Sequence, residues 1–376
     1  MKLVFSNERL VVQGRSFPGF PLLISGGKPV EPAQTFLWEH LVLSGRRRSP
    51  LTWEKYGRSL FDFLAFCEAN TVGWNAKSPP GLPSAIHWYR DWSAGEIGNK
   101  PRTINQRLRL IVKFYEWAHR QGFIDELPVG YEEVRSGHQD AFLQHVKTDE
   151  VSSPDVLLQE SKAPPRILSA EQLGACKRAL LSSTHGLMFE MMARTGLRQT
   201  ECRTFPAAYV FNPTRRRDLT PGQKIRLWIE PKHMAIKFKK RRSIDIPYDL
   251  MEDLWWYSVR ERQARANRNP SPPGTLFLTK TGGQYAASSV ADWFGALRQR
   301  TGFDVAPHML RHTYATYTLV GLRKSGYEGD PLLYVQERLG HANVTTTVIY
   351  LHMIDKLASQ LLRDHDSELD AVFAEA

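Results

Sequence analysis

Residues His308 to Ala315 read HMLRHTYA, and they open an otherwise apolar stretch that runs to Leu319 and Val320. A segment with that composition is core helix, yet its first turn or so carries two imidazoles and a guanidinium. Arg is almost never fully buried without a partner, because an unpaired buried charge costs several kcal/mol. The partner is either a carboxylate of the same chain or an anion that arrives from outside. On a helix His308 and Arg311, at i and i+3, share one face. His308 and His312, at i and i+4, also have the spacing of a zinc helix. The second position, where such a helix needs a Glu general base, holds Met309, so metal binding is the weaker reading. Taken alone, the segment is most simply a salt-bridged Arg311 beside a core histidine.

Composition narrows the choice of partner. The chain has 376 residues, enough for two or three domains, and 42% hydrophobic residues, enough for real cores. Its net charge of +11 favours a polyanionic partner, nucleic acid first and an acidic membrane surface second. There is no uninterrupted apolar run of transmembrane length, and MKLVFSNERLVV breaks into charge too soon for a secretory signal. Cys67, Cys176 and Cys202 form no CxxC pair and read as small core residues in a reducing compartment. A soluble, cytoplasmic protein is expected, and charge alone does not choose between its two polyanionic partners.

Periodicity divides the chain into four parts. Residues 1–30 read as short strands, RLVVQG and PLLIS, punctuated by Gly and Pro. Residues 31–125 hold four helical patterns, AQTFLWEHLVL, TWEKYGRSLFDFLAFCEA, PSAIHWYRDWSA and RTINQRLRLIVKFYEWAHRQG, and predict a four-helix domain. Over 126–165 the pattern dissolves into a mixed-charge stretch ending in KAPP, read as an interdomain linker with one short helix in AFLQHV. Residues 166–376 form a second domain. It opens with the capping-box spacing of Ser169 and Gln172, then gives a helix ending at Gly196, and strands KIRLWIE and RSIDIP. A long helix, a short strand TLFLT, a helix SVADWFGALRQRTG capped by Ser289 and Asp292, and further helices follow. The fold class is mainly α with a small antiparallel β-sheet.

Two further segments bear on Arg311. ARTGLRQTECR places Arg198 just past Gly196, where a helix ends and the chain can turn, with Glu201 one turn on as a carboxylate to hold it. A C-capping glycine followed by a solvated Arg is the plain alternative. Two arginines from separate helices would suit the non-bridging oxygens of one phosphodiester. In LGHANVTTTVIYLH, His341 follows Gly340 in a tight turn and Tyr350 lies nine positions on. An isolated Tyr there would be a core-edge residue. The β-branched run from Thr345 to Ile349 is poor helix material and suggests a short packed piece that presents Tyr350.

GLRQTE, HMLRH, and LGH with a Tyr nine residues downstream, in that order in one basic chain, resemble the tyrosine recombinase (phage integrase) family. The resemblance covers the second domain from about Pro165 onward. The four-helix segment, with its TINQRLRLIVKFYEWAHRQGFI ending, is similar to the family's core-binding domain. It implies a site-specific DNA recombinase with a core-binding domain and a catalytic domain. Tyr350 would attack the scissile phosphate, forming a 3′-phosphotyrosyl link and freeing a 5′-hydroxyl, with neither metal nor nucleotide cofactor. Arg198 and Arg311 would neutralise charge on the phosphorane, with Glu201 behind Arg198. His308 would be the general acid/base near Tyr350, and His341 a donor to the same phosphate. A hairpin lysine would protonate the leaving 5′-oxygen, Lys237 first and Lys239 second.

The resemblance also implies double-stranded DNA with specific sites as partner and a tetramer on paired sites, with a directionality factor as a further partner. Phosphate contacts are expected from Arg46, Arg47 and Arg48, from Arg215, Arg216 and Arg217, and from Lys240, Arg241 and Arg242. Residues 1–30 would be either an additional DNA-binding arm or strands packed on the helices. The tail after Tyr350 has an apolar face, from Leu357 to Phe373, for a neighbouring subunit or its own domain. Two departures stand out, an apparent insertion, GLRKSGYEGD, between His308 and His341, and the long linker. The alternatives are a type IB topoisomerase or telomere resolvase, or a DNA-binding regulator that does not cut. The complete set of Arg198, Lys237, His308, Arg311, His341 and Tyr350 speaks against the last.

Overall fold

A computed structural model of the chain describes residues 1–44, 50–79, 81–135, 150–160, 165–341, 347 and 350. The chain divides into two compact units, Met1–Lys162 and Ala163–Ala376.

The first unit begins with strands β1 (Lys2–Phe5), β2 (Val11–Val12), β3 (Arg15–Ser16), β4 (Pro21–Ser25) and β5 (Lys28–Pro29). β4 is the centre of an antiparallel sheet in the order β1-β4-β5, with Lys2 opposite Ile24 and Phe5 opposite Pro21. The strand period of two turns Pro21 and Leu23 inward. Four helices follow: α1 (Glu31–Trp38), running on through a π-helical turn at Glu39–Leu43, α2 (Pro50–Ala69), α3 (Ala85–Gly95) and α4 (Pro101–Arg120). α4 shows why the segment is a helix: Ile104, Leu108, Ile111, Tyr115 and Ala118 recur every three or four residues and are all buried. Phe20 and Leu23 share one core with Phe36, Phe63, Tyr89 and Phe114. The N-terminal strands therefore pack on the helices.

Residues 126–165 are more than a connector. β6 (Tyr131–Arg135) pairs antiparallel with β7 (Glu150–Pro154), Tyr131 opposite Pro154 and Arg135 opposite Glu150. Val129 and Val156 are buried in the helical core. The Asn105 side chain grips Leu158 as a strand would, donating to its carbonyl at 2.7 Å and accepting from its N–H at 2.9 Å. YEEVR and EVSSP lack apolar alternation, so sequence periodicity does not reveal them. The expected helix in AFLQHV lies outside the described residues.

The second unit holds α5 (Ala170–Ala179), α6 (Ser183–Thr195) and α7 (Gln199–Arg203), then the antiparallel pair β8 (Lys224–Ile229) and β9 (Arg242–Pro247). Next come α8 (Tyr248–Tyr257), a π-helical turn (Ser258–Arg262), α9 (Gln263–Ala266), α10 (Ala287–Thr301), α11 (Pro307–Lys324) and α12 (Pro331–Leu339). Ser169 and Gln172 form the expected capping box. Ser289 and Asp292 do not cap α10, which starts earlier, behind Ala286. TLFLT makes only isolated bridges, Pro206 with Thr275 and Leu278 with Gln284. Met188, Met192, Phe205, Ile244, Leu254 and Phe294 anchor the core. The architecture is mainly α with small antiparallel sheets. Among the described residues no helix is long and apolar enough to cross a membrane.

Candidate active site

Among the helices that end on left-handed glycines, two then deliver a candidate side chain. α6 ends at Gly196 (φ +68°), two residues before Arg198. α12 ends at Gly340 (φ +64°), directly before His341. At the second, Gly340 N–H donates to Glu337 and His341 N–H to Gln336, the paired bonds of a Schellman motif. Both glycines are also tightly covered. A Cβ on Gly196 would stand 2.4 Å from Tyr314 Cδ1, and one on Gly340 would stand 2.7 Å from Arg242 Cδ. Gly196→Ala should therefore lose about 2–4 kcal/mol, through the φ penalty and the overlap together. A thermal melt should show it as a fall of roughly 5–15 °C.

Arg311, on α11, ties these two ends together. Its side chain is 1% exposed. Nη1 donates to Gly196 O at 2.7 Å and Nη2 to Leu339 O at 2.5 Å, so one guanidinium caps the carbonyl ends of α6 and α12. Its Nε is buried without a hydrogen-bond partner. Burial, then the nearby positive charge of Arg198, pulls its pKa down to about 9. It stays charged at neutral pH, but at a cost that an incoming anion would offset.

One carboxylate organises the surroundings. Glu201, 1% exposed, accepts from Arg198 N–H at 2.9 Å and Arg198 Nη1 at 3.0 Å. It also takes both Nη atoms of Arg242, at 2.9 and 2.7 Å. Burial raises the Glu201 pKa, but the hydrogen bonds and charge of Arg242, then Arg198, outweigh it and leave the pKa lowered. Arg242 is 6% exposed and gives its Nε–H to Arg338 O, so it belongs to this buried network and not to a phosphate-binding surface. A second network lies alongside: Asp245 on β9 accepts from Arg338 Nε and from the Tyr334 hydroxyl, both at 2.5 Å. It fastens α12, which presents His341, to the sheet.

Tyr350 is 1% exposed and packs with Tyr314, Leu319, Val335 and Leu339. Burial raises its pKa to about 12, against the pull of Arg311 and Arg198. Its hydroxyl lies 3.0 Å from Nδ1 of His312, not against His308. The exposed His308 ring stands edge-on to His312, with centroids 4.4 Å apart. His341 lies nearly parallel to the Tyr350 ring at 6.2 Å, and its Nδ1 is 3.0 Å from Thr347 Oγ1. Burial, followed by Arg311 and Arg198, lowers the His341 pKa to about 3. Among the described residues, no three His, Cys, Asp or Glu side chains gather as a metal site would need.

The structure thus brings together Arg198, Glu201, His308, Arg311, His341 and Tyr350. Lys237 and Lys239 lie on the exposed connection between β8 and β9, where Lys237 Nζ sits 5.0 Å from the Phe238 ring centre. Phe238 and Lys239 both take positive φ, 65° and 50°. Lys240, Arg241, Arg215, Arg216 and Arg217 are exposed, with Arg216 paired to Asp218. Arg46, Arg47 and Arg48 and the tail after Tyr350 lie outside the described residues. Three residues escaped the sequence reading, His312 as partner of Tyr350 and the pair Asp245–Arg338. An Asp between two inward Ile in RSIDIP was the available signal for the pair.

The profile of the phage integrase family matches residues 169–356, half of the chain. Transposase A from transposon Tn554 of Staphylococcus aureus is 24% identical over 362 residues, spanning 93% of this chain and 94% of that one. Tyrosine recombinase XerC of Bacillus subtilis (strain 168) is 26% identical over 276 residues, 72% of this chain and 77% of its own. Among solved structures, the Tn1549 transposon integrase in complex with transposon right end DNA superposes with a TM-score of 0.55 at 16% identity, covering 88% of this chain and 99% of that one. XerH site-specific recombinase bound to palindromic difH gives 0.54 at 18% identity, covering 84% and 80%. At such identities the structural likeness speaks to the fold. The chain belongs to the phage integrase family. It is a tyrosine recombinase, an enzyme of site-specific recombination that cuts and rejoins DNA through a phosphotyrosyl intermediate.

Proposed function

We propose that Tyr350 is the nucleophile of this recombinase, and that Arg198 and Arg311 bind the non-bridging oxygens of the scissile phosphodiester. His341 donates a further hydrogen bond to the same phosphate, and Glu201 holds Arg198 in place. Lys237, with Lys239 as second choice, protonates the departing 5′-oxygen. One observation carries the reading. Arg311 is buried with an orphaned Nε, its charge is disfavoured by Arg198, and it lies beside a buried tyrosine. A phosphodiester anion satisfies all three conditions, and the negative phosphorane satisfies them better.

The partner is double-stranded DNA bearing specific sites, as the DNA-bound Tn1549 integrase and XerH suggest by analogy. Residues 31–125 act as the core-binding domain and 166–376 as the catalytic domain. The exposed Arg215, Arg217, Lys240 and Arg241 contact backbone phosphates. Four chains on two sites exchange the strands, with the tail docking on a neighbour and an accessory factor setting direction.

The test uses nicked, end-labelled duplexes tiling the DNA on either side of the gene, incubated in EDTA with wild-type protein or Tyr350→Phe. A slow-migrating covalent adduct on a denaturing gel, formed by wild type alone, is the expected result. An adduct from neither protein despite binding, or from both, would overturn the reading of Tyr350 as the nucleophile.

A further inference from the structure

Of the two histidines on the first turns of α11, the one against the tyrosine is His312. Its Nδ1 is 3.0 Å from the Tyr350 hydroxyl, and its ring is inclined at 54° to the phenol with centroids 5.5 Å apart. A phenol O–H has one proton to give, and a neutral imidazole has one bare nitrogen to receive it. His308 stands one ring further out, edge-on to His312 and exposed.

We propose that His312 is the proton acceptor for the nucleophile: its Nδ1 takes the phenolic proton as the Tyr350 oxygen attacks phosphorus. The assignment rests on the reading of Tyr350 as nucleophile given above. In the step, the Tyr350 O–H bond breaks with its proton passing to Nδ1, and the oxygen pair forms the new P–O bond. The P–O5′ bond breaks with its electrons going to the 5′-oxygen, which takes a proton from the hairpin lysine and leaves as a hydroxyl. Religation runs the sequence backward, and His312 returns the proton to Tyr350.

The surroundings make the base dependent on its substrate. The groups facing the imidazole are His308 and Arg311 on its own helix, and Tyr350 and His341 after α12. Arg198 acts on the same cluster. Burial, then His308 and Arg311, lowers the His312 pKa to about 4 in the free protein. His312 is therefore neutral and able to accept at neutral pH, but a weak base. A phosphodiester anion bound between Arg198 and Arg311 offsets that positive field and raises the basicity of His312 as the reacting group arrives.

The test measures single-turnover adduct formation by full-length protein on the nicked duplex cut by wild type, from pH 6.5 to 9.5. The proteins are wild type, His312→Asn and His308→Asn. Asn keeps an acceptor near the Nδ1 position but cannot take the proton. His312→Asn should slow adduct formation by about 10²–10⁴-fold at pH 7, with a rate that climbs about tenfold per pH unit because the phenol must ionise by itself. Wild type should be nearly flat over the range. A merely structural role would give a loss that does not change with pH. The slope appearing in His308→Asn instead would move the acceptor to His308.

A second substrate, with sulfur replacing the bridging 5′-oxygen, leaves without needing a proton. It should restore Lys237→Ala and leave His312→Asn slow. Restoration of His312→Asn would assign it to the leaving group and overturn the proposal. Failure of wild type to form any adduct would instead remove the reading of Tyr350, and the inference with it.

Discussion

Arg311→Met should form no detectable adduct with DNA and yet melt close to the wild-type temperature. The two halves of this result come from different balances. For catalysis, removing one donor to a developing oxyanion costs about 10²–10³-fold. Arg311 has its Nε–H uncommitted, besides the second hydrogens on both Nη atoms. A loss of about 10³-fold or more in the rate of adduct formation is therefore expected. For stability, the substitution removes charge-assisted bonds to Gly196 O and Leu339 O, worth about 1.5–3 kcal/mol each. It also removes a buried charge whose desolvation costs several kcal/mol, and that burden is the first cause of the lowered Arg311 pKa. These terms nearly cancel, so the melting temperature should stay within roughly 5 °C of wild type. A collapse of the melting temperature would mean that Arg311 serves the fold more than the phosphate.

Glu201→Gln should instead lower the melting temperature. Arg242 is buried and bound to this carboxylate through both Nη atoms, and Arg198 leans on it from the other side. Removing the negative charge leaves the Arg242 guanidinium buried and unpaired, and breaking such a pair costs about 3–5 kcal/mol. A fall in melting temperature of roughly 10 °C is expected. The pH dependence has a definite sign. The Glu201 pKa is lowered from its ordinary 4.5 despite burial. The unfolded chain therefore binds the proton first. The contribution of this carboxylate is complete above about pH 4.5 and fades as the pH falls through the folded-state pKa. Acid unfolding curves of wild type and Glu201→Gln should accordingly stay apart above about pH 4.5 and converge as the pH falls through the lowered folded-state pKa. Parallel curves would mean that Glu201 keeps no special charge in the native state.

The candidate site of the second unit was legible in the sequence because several of its residues sit at helix ends with plain signals. Gly196 and Gly340 announce where the chain turns, and Arg198 and His341 follow at once. The helical face shared by His308 and Arg311 was equally readable. The hydrogen-bond partner of Tyr350 was not. Spacing says which residues share a face but not which of two neighbouring imidazoles a distant tyrosine will meet, and that contact spans 38 positions. Arg242 was misread for a related reason. It ends a basic run, KKRR, whose other members are exposed, and only the return of Glu201 from another element turns it inward. β9 is buried at every position from Arg242 to Ile246, polar ones included, because α12 covers it and supplies Arg338 to Ser243 and Asp245. In the first unit, β6 and β7 lack any apolar rhythm, and their pairing joins residues up to 23 positions apart. No local pattern reveals such a hairpin.

The seclusion of Tyr350 has a consequence for protein chemistry. Nitrating and acylating reagents reach phenols through solvent, and Tyr131 and Tyr327 are each 43% exposed whereas Tyr350 is 1% exposed. In the DNA-free enzyme the surface tyrosines should be consumed long before Tyr350 is touched. The labelling of residue 350 then becomes a clock for its departure from Leu319 and Val335, and it can be read by peptide mapping without any cleavage having taken place.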